Sequence, residues 1–223
     1  MGKALLSDEE LLGSSLKEGS LQHRVYTELL GKLMARELLP GETLDRRSLA
    51  EDLGVSVAPV LVALLLLEQD GFVSSVPRKG TVVSLISEDD AAGLLVMREA
   101  LEAKAARRYC GKAVRDNYQE LAEYAQTMDE TEPLERAWME VRFHSSLVRL
   151  AGNDCLFLEC RRIIRKWFFC RVNDMLCGPR ATNSHVSLIN ALCLDDPDTA
   201  EKAIRDHVGN EISLEEYADV LEG

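Results

Sequence analysis

At 223 residues, with 46% hydrophobic and 29% charged side chains, the chain is long enough for one large or two small domains with real cores, since typical domains run about 100 to 150 residues. Its net charge of −12 excludes a protein that binds nucleic acid with its whole surface, but leaves a local basic footprint open. No apolar run approaches the ~20 residues needed to cross a bilayer, and the start, Met1-Gly-Lys-Ala-Leu-Leu-Ser-Asp-Glu-Glu10, lacks the apolar stretch and cleavage site of a secretory signal. The expected location is cytoplasmic, with no membrane partner.

Residues 1–20 are polar with two glycine-containing breaks and predict a flexible arm. From Leu21 the apolar positions Val25, Leu29, Leu33 and Met34 recur at helical spacing until Leu39-Pro-Gly41 stops the helix. A short helix follows over Arg46 to Leu53, ended by Gly54. A third opens at Val55-Ser-Val-Ala-Pro59, with Ser56 as N-cap, Pro59 tolerated in the first turn and Gly71 closing it. Phe72 to Ser84 carries two short β-branched runs around Pro77-Arg-Lys-Gly80 and predicts a two-stranded hairpin. Three helices followed by a hairpin is the winged helix-turn-helix pattern, with the third helix in the recognition position. Residues 21–85 hold seven basic and eight acidic side chains, a net of −1, so the acidic excess lies elsewhere.

Beyond Ser87 nearly everything reads as helix: Asp89 to Gly111, Asp116 to Met128, Pro133 to Ala151, Cys155 to Met175, Asn183 to Cys193 and Pro197 to Leu221. Six helices with short connections predict an all-α antiparallel bundle. The expected fold is therefore mainly α: an arm over 1–20, a winged helix-turn-helix over 21–85, and a helical metal- and ligand-binding domain over 86–223. The six cysteines, at 110, 155, 160, 170, 177 and 193, include no Cys-x-x-Cys pair and read as reduced thiols, mostly core filler.

Three of the four histidines, His144, His185 and His207, fall on three of the predicted bundle helices. Glu140 precedes His144 by four residues, which stacks the two on one helical face. Metal sites in bundles are assembled from side chains on facing helices. Three imidazoles and a carboxylate suit a borderline divalent ion, zinc first, with nickel or manganese as alternatives. The competing reading is that each histidine is a partly buried helix residue bonded to a neighbour.

The ordered set of fragments resembles a GntR-type transcription regulator of the FadR branch, whose C-terminal ligand domain is called FCD. In the N-terminal part the resemblance rests on Leu39-Pro-Gly-Glu-Thr-Leu44, Leu49-Ala-Glu-Asp-Leu-Gly-Val-Ser56, Pro59-Val60, Ala63-Leu64, Leu67-Glu68, Asp70-Gly71 and Pro77-Arg-Lys-Gly80. In the C-terminal part it rests on Met97-Arg-Glu-Ala-Leu-Glu102, on Glu140-x-x-Phe-His144 with Leu147 and Ala151-Gly-Asn153, and on His185, Ala191, Asp196, Ala200 and His207. The resemblance implies a homodimeric regulator that binds DNA through its winged domains and senses a small organic acid at a metal-containing cavity. It also implies that Glu140, where the family usually has Asp, joins His144, His185 and His207 as a ligand, and that Arg98 helps neutralise a carboxylate effector. Arg98 equally suits a surface i,i+4 partner of Glu102.

The recognition helix departs from the family. Where the family usually reads Ser-Arg-Thr-Pro-Val-Arg-Glu-Ala-Leu-Arg-Arg-Leu, this chain has Ser56-Val-Ala-Pro-Val-Leu-Val-Ala-Leu-Leu-Leu-Leu67. Aliphatic side chains offer no donors to phosphates or guanine edges, so direct readout is expected to be weakened. The expected DNA contacts are then Arg46, Arg47, Ser56, Arg78, Lys79 and Gly80; for the four cations the alternative is a solvated charged surface. The outer face, Leu61, Val62 and Leu65, must be covered or remain exposed. Three functions follow in order: a ligand-responsive DNA-binding regulator; a GntR-like sensor with impaired DNA binding that uses the apolar helix for protein contacts; and, last, a metalloenzyme, for which no separate base or nucleophile motif is present.

Overall fold

In the computed structural model, which describes residues 4–12, 19–131, 133–172 and 184–209, the chain divides into two units, Ser7–Ile86 and Ser87–Gly223 together with Met1–Leu6.

The smaller unit begins with α1 (Asp8–Leu12) and α2 (Leu21–Met34). Ser20 caps α2, its side chain accepting from the His23 amide, and Val25, Tyr26, Leu29, Leu30, Leu33 and Met34 form the buried stripe that the periodicity predicted. After β1 (Thr43–Leu44) comes α3 (Arg46–Asp52), capped by Asp45, whose carboxylate accepts from the amides of Arg47 and Ser48. Gly54, at φ +62, turns the chain into α4 (Val57–Gln69). α4 buries Pro59, Val60, Ala63, Leu64 and Leu67, packing on α2 and α3, and the Tyr26 hydroxyl donates to Asp70 at its end. The hairpin β2 (Val73–Val76) and β3 (Gly80–Val83) is antiparallel, in the register Val73↔Val83 to Val76↔Gly80. β1 pairs with β3 on the other side, giving the order β1-β3-β2. This third strand was not anticipated, because two residues are too few to show alternation.

In the larger unit the described helices are α5 (Glu88–Tyr109), α6 (Lys112–Arg115), α7 (Tyr118–Asp129), α8 (Pro133–Arg149), α9 (Asp154–Val172), α10 (His185–Leu192) and α11 (Pro197–Gly209). α5 is the central member, packing against α8, α9 and α11, while α10 packs on α7 and α11. Buried Phe143, Leu147, Ile164, Trp167, Phe168 and Ile204 supply much of the apolar core. The short α6 was not predicted separately. Predicted positions 173–175, 183 and 210–221 lie outside the described residues.

Within the expected arm, residues 4–6 belong to the larger unit and 7–12 to the smaller. The Ala4 amide donates to a Glu120 carboxylate oxygen at 2.9 Å and the Leu6 amide to Ser146 Oγ at 3.0 Å. Ala4, Leu6 and Leu11 are buried. Average polarity concealed these apolar residues, whose burial, with the two amide bonds, holds the segment in place.

Gly111 sits at φ +81, ψ −122, a region essentially confined to glycine. Its amide donates to the Leu192 carbonyl at 2.8 Å, and a Cβ there would stand 1.9 Å from Asp195 Oδ1. Gly111→Ala is therefore expected to cost about 1–3 kcal/mol from backbone strain alone, with the clash adding to it. Thermal melting checks this, and an unchanged midpoint would refute it.

Candidate functional site

The site grows from α8, α10, α11 and α5. Helical spacing on α8 places Glu140 and His144 on the face turned into the bundle, both fully buried. Ser184 precedes α10 in an extended conformation, so that His185 is the first helical residue, and His207 lies in the last turn of α11. The three imidazoles meet: one ring nitrogen from each of His144, His185 and His207 lies within 4.8 Å of the others. Ring centroids are 5.9 Å apart for His144 and His185, 5.3 Å for His144 and His207, and 4.6 Å for His185 and His207. Phe143 sits edge-on to His144 and His185 at 5.4 and 5.2 Å.

Glu140 adds the oxygen. Its Oε2 lies 3.0 Å from His185 Nε2 and 3.6 Å from His144 Nε2. Ligand atoms about 2.0–2.1 Å from one ion stand roughly 3–3.4 Å apart along the edges of a tetrahedron or octahedron; the 3.0 Å contact, also a hydrogen-bond distance, matches such an edge, and the 3.6 Å contact is slightly longer. His144 Nε2 is buried without a hydrogen bond among the described residues. A buried nitrogen that makes no hydrogen bond is costly unless something else binds it. The donor set, three imidazole nitrogens and one carboxylate, fits a borderline divalent ion.

The other face of His144 meets a residue that the sequence reading missed as part of the site. Nδ1 of His144 lies 2.7 Å from Glu102 Oε2, and Glu102 Oε1 accepts from Arg98 Nε at 2.5 Å. The signals in the sequence were Glu102 four residues after Arg98 on one helix and the place of both in the fragment Met97-Arg-Glu-Ala-Leu-Glu102. Burial alone would push Glu102 toward its neutral form, but Arg98 and His144 outweigh it and hold the carboxyl well below the usual range. Burial likewise opposes a charge on His144, yet Glu102 keeps its affinity for a proton high. The alternative placing Arg98 as a surface partner of Glu102 is corrected in one respect: the pair forms, but both side chains are buried, and the guanidinium lies 5.0 Å over the Phe168 ring.

Between α10 and α11 an opening of about 280 Å³, lined by Ser184, Ser187, Ala191, Ala203 and Asp206, reaches His207. Among the described residues no cysteine joins this cluster, and Cys177 lies outside them. Cys160 and Cys170 are buried, and burial drives both thiols up, Cys170 to about 12, so neither offers a thiolate. Cys155, by contrast, is exposed rather than core filler.

In the winged unit, Arg46, Arg47, Ser56, Arg78, Lys79 and Gly80 are all exposed. Arg46 reaches Thr81 Oγ1 at 3.3 Å. Arg78 at φ +68 and Gly80 at φ +88 shape the wing turn, which the Lys79 amide closes onto the Val76 carbonyl at 3.1 Å. Ser56 occupies the N-cap position of α4 in extended conformation, but makes no side-chain capping bond, which corrects the role expected of its hydroxyl. The outer face of α4 is exposed, at 42% for Leu61, 37% for Val62 and 55% for Leu65.

The profile of the bacterial regulatory proteins of the gntR family matches residues 21–83, and the profile of the FCD domain matches residues 93–210. The chain belongs to the GntR family of transcription regulators, in the group with an FCD domain. An uncharacterized HTH-type transcriptional regulator in an unstable DNA locus of Streptomyces ambofaciens is 31% identical over 137 residues, which span 58% of this chain and 56% of that protein. The Nta operon transcriptional regulator of Aminobacter aminovorans is 26% identical over 172 residues, 76% of this chain and 82% of that one. Among solved structures, a GntR transcriptional regulator from Rhodococcus sp. RHA1 shares the fold with a TM-score of 0.70 at 18% identity, over 91% of this chain and 98% of that chain. E. coli McbR/YncC does so at 0.67 and 21%, with the same coverage. In this GntR-family chain the gntR-family match covers the winged unit, and the FCD match covers the unit that holds the histidine cluster. Transcription regulation, not catalysis, is the activity of the family. No single helix among the described residues is long and apolar enough to cross a membrane.

Proposed function

We propose that this GntR regulator is ligand-responsive. A divalent ion, zinc first and nickel or manganese as alternatives, is held by Glu140, His144, His185 and His207. A small organic acid completes its coordination shell, and a homodimer in the cytoplasm carries the response to DNA through Arg46, Arg47, Ser56, Arg78, Lys79 and the wing tip at Gly80. The observation that carries the reading is the convergence of three buried imidazoles within 4.8 Å beside a buried carboxylate. Bound there, the ion would supply positive charge and an open position for an anionic ligand. The chain's own residues fix the imidazoles and leave an opening of about 280 Å³ beside His207, a size suited to a small ligand. Arg98, paired with Glu102, is the candidate to answer an effector's charge.

A second reading is favoured by one observation, the exposed Leu61, Val62 and Leu65: a sensor whose α4 meets protein rather than DNA. Gel-shift titration with the chain's own upstream DNA separates the two, since the second reading requires no shift.

The effector class has its own test. A ligand that binds only the native state raises the melting temperature by mass action, by about 2.7 kcal/mol of stability at a hundredfold excess over Kd. Dicarboxylates and hydroxy acids are expected to raise it more than neutral sugars in metal-loaded protein. A thermal-shift screen in which sugars stabilise and acids do nothing would refute an organic-acid effector.

A further inference from the structure

We propose that Glu102 is a positioning residue of the metal centre, acting through His144, with Arg98 holding it in place. The proposal rests on the metal reading above and adds to it a residue outside the ligand set.

Glu102 on α5 and His144 on α8 face each other across two helices that pack together. The carboxylate is divided between two partners, Oε2 at 2.7 Å from His144 Nδ1 and Oε1 at 2.5 Å from Arg98 Nε. Side-chain exposure is 0% for Arg98 and His144 and 2% for Glu102, so water does not compete for any of these contacts. An ionised carboxylate can only accept, which makes Nδ1 of His144 the donor. The ring then presents Nε2, the atom without a hydrogen bond, toward the Glu140 carboxylate at 3.6 Å. Carboxylates placed behind metal-ligating imidazoles in this way fix the ring's orientation and raise its basicity, and their loss typically weakens metal binding by about 10–100-fold. Arg98 in turn is held between Glu102 and the Phe168 ring, which fixes the carboxylate from the side opposite the histidine. If the Arg98–Glu102 pair only packed α5 against its neighbours, its removal would lower stability without touching metal affinity.

The test uses the full-length wild-type chain, Glu102→Gln and Glu102→Ala, each stripped of metal and titrated with zinc against a competing chelator. Cadmium-113 and histidine nitrogen-15 spectra are recorded on cadmium-loaded samples. The amide of Glu102→Gln keeps an acceptor oxygen but loses the charge, and is expected to weaken zinc binding by about tenfold; Glu102→Ala should weaken it by about a hundredfold. The cadmium and His144 nitrogen resonances should shift in both. Should Glu102→Ala fail to fold by circular dichroism, the near-isosteric Glu102→Gln carries the test. Variants that melt lower but bind zinc as tightly as wild type, with unmoved resonances, would overturn the proposal. A wild-type chain that takes up no zinc or cadmium would overturn the metal reading itself, and is distinguished by failing before any variant is compared.

Discussion

Purified protein is expected to carry close to one divalent ion per chain, and His185→Ala to carry none. The wild-type set offers three imidazole nitrogens and a carboxylate oxygen with His185 Nε2 and Glu140 Oε2 already 3.0 Å apart. Removing His185 deletes a ligand outright, so the loss should exceed the roughly 10–100-fold that follows from losing an outer-shell partner. His185 is the first residue of α10, and alanine is compatible with a helix there, so the substitution acts on the site more than on the helix. Elemental analysis after gentle purification, with a melting curve to confirm folding, checks it. A wild-type chain that elutes metal-free and binds no added zinc, nickel or manganese would remove the site from consideration.

The second large effect concerns DNA. Binding is expected to be poorly specific and steeply salt-dependent, because the exposed outer face of α4, Leu61, Val62 and Leu65, is aliphatic while the donors lie at the start of α3 and on the wing. If Arg46, Arg47, Arg78 and Lys79 each neutralise one phosphate, log K against log salt should fall with a slope of about −3.6 per winged unit, at about −0.9 per contact. Placing arginine at positions 57 and 61 should restore discrimination, since a bidentate base contact is worth about 1–3 kcal/mol. Leu61 is 42% exposed, so an arginine there buries no unpaired charge. Affinity for the candidate operator and a scrambled duplex is measured across a salt series. A wild-type preference approaching a thousandfold at physiological salt would show that α4 reads bases after all.

The order of helices and hairpin was legible in the sequence because periodicity, caps and breakers act within a few residues of one another. Gly54 separates α3 from α4 where the reading put the break, whereas α2 ends at Met34, ahead of Leu39-Pro-Gly41, with Arg36 at φ +59. The stacking of Glu140 over His144 follows from the helical period alone. So does the two-sided apolar character of α4; of the two outcomes left open for its outer face, covered or exposed, Leu61 and Leu65 show the second. The tertiary structure alone decided what depends on contacts between distant positions. The sequence could nominate His185 and His207, but only the packing of α10 and α11 brings them to His144. Glu102 looked like a surface partner of Arg98 because its second partner, His144, is 42 residues away on another helix. Ala4 and Leu6 looked like parts of an arm because the groups that hold them, Glu120 and Ser146, are more than a hundred residues further on. Local rules fix which face a residue occupies on its own helix; which residues stand opposite that face is set by the free energy of burying apolar surface over the whole unit, and no short window of sequence contains it.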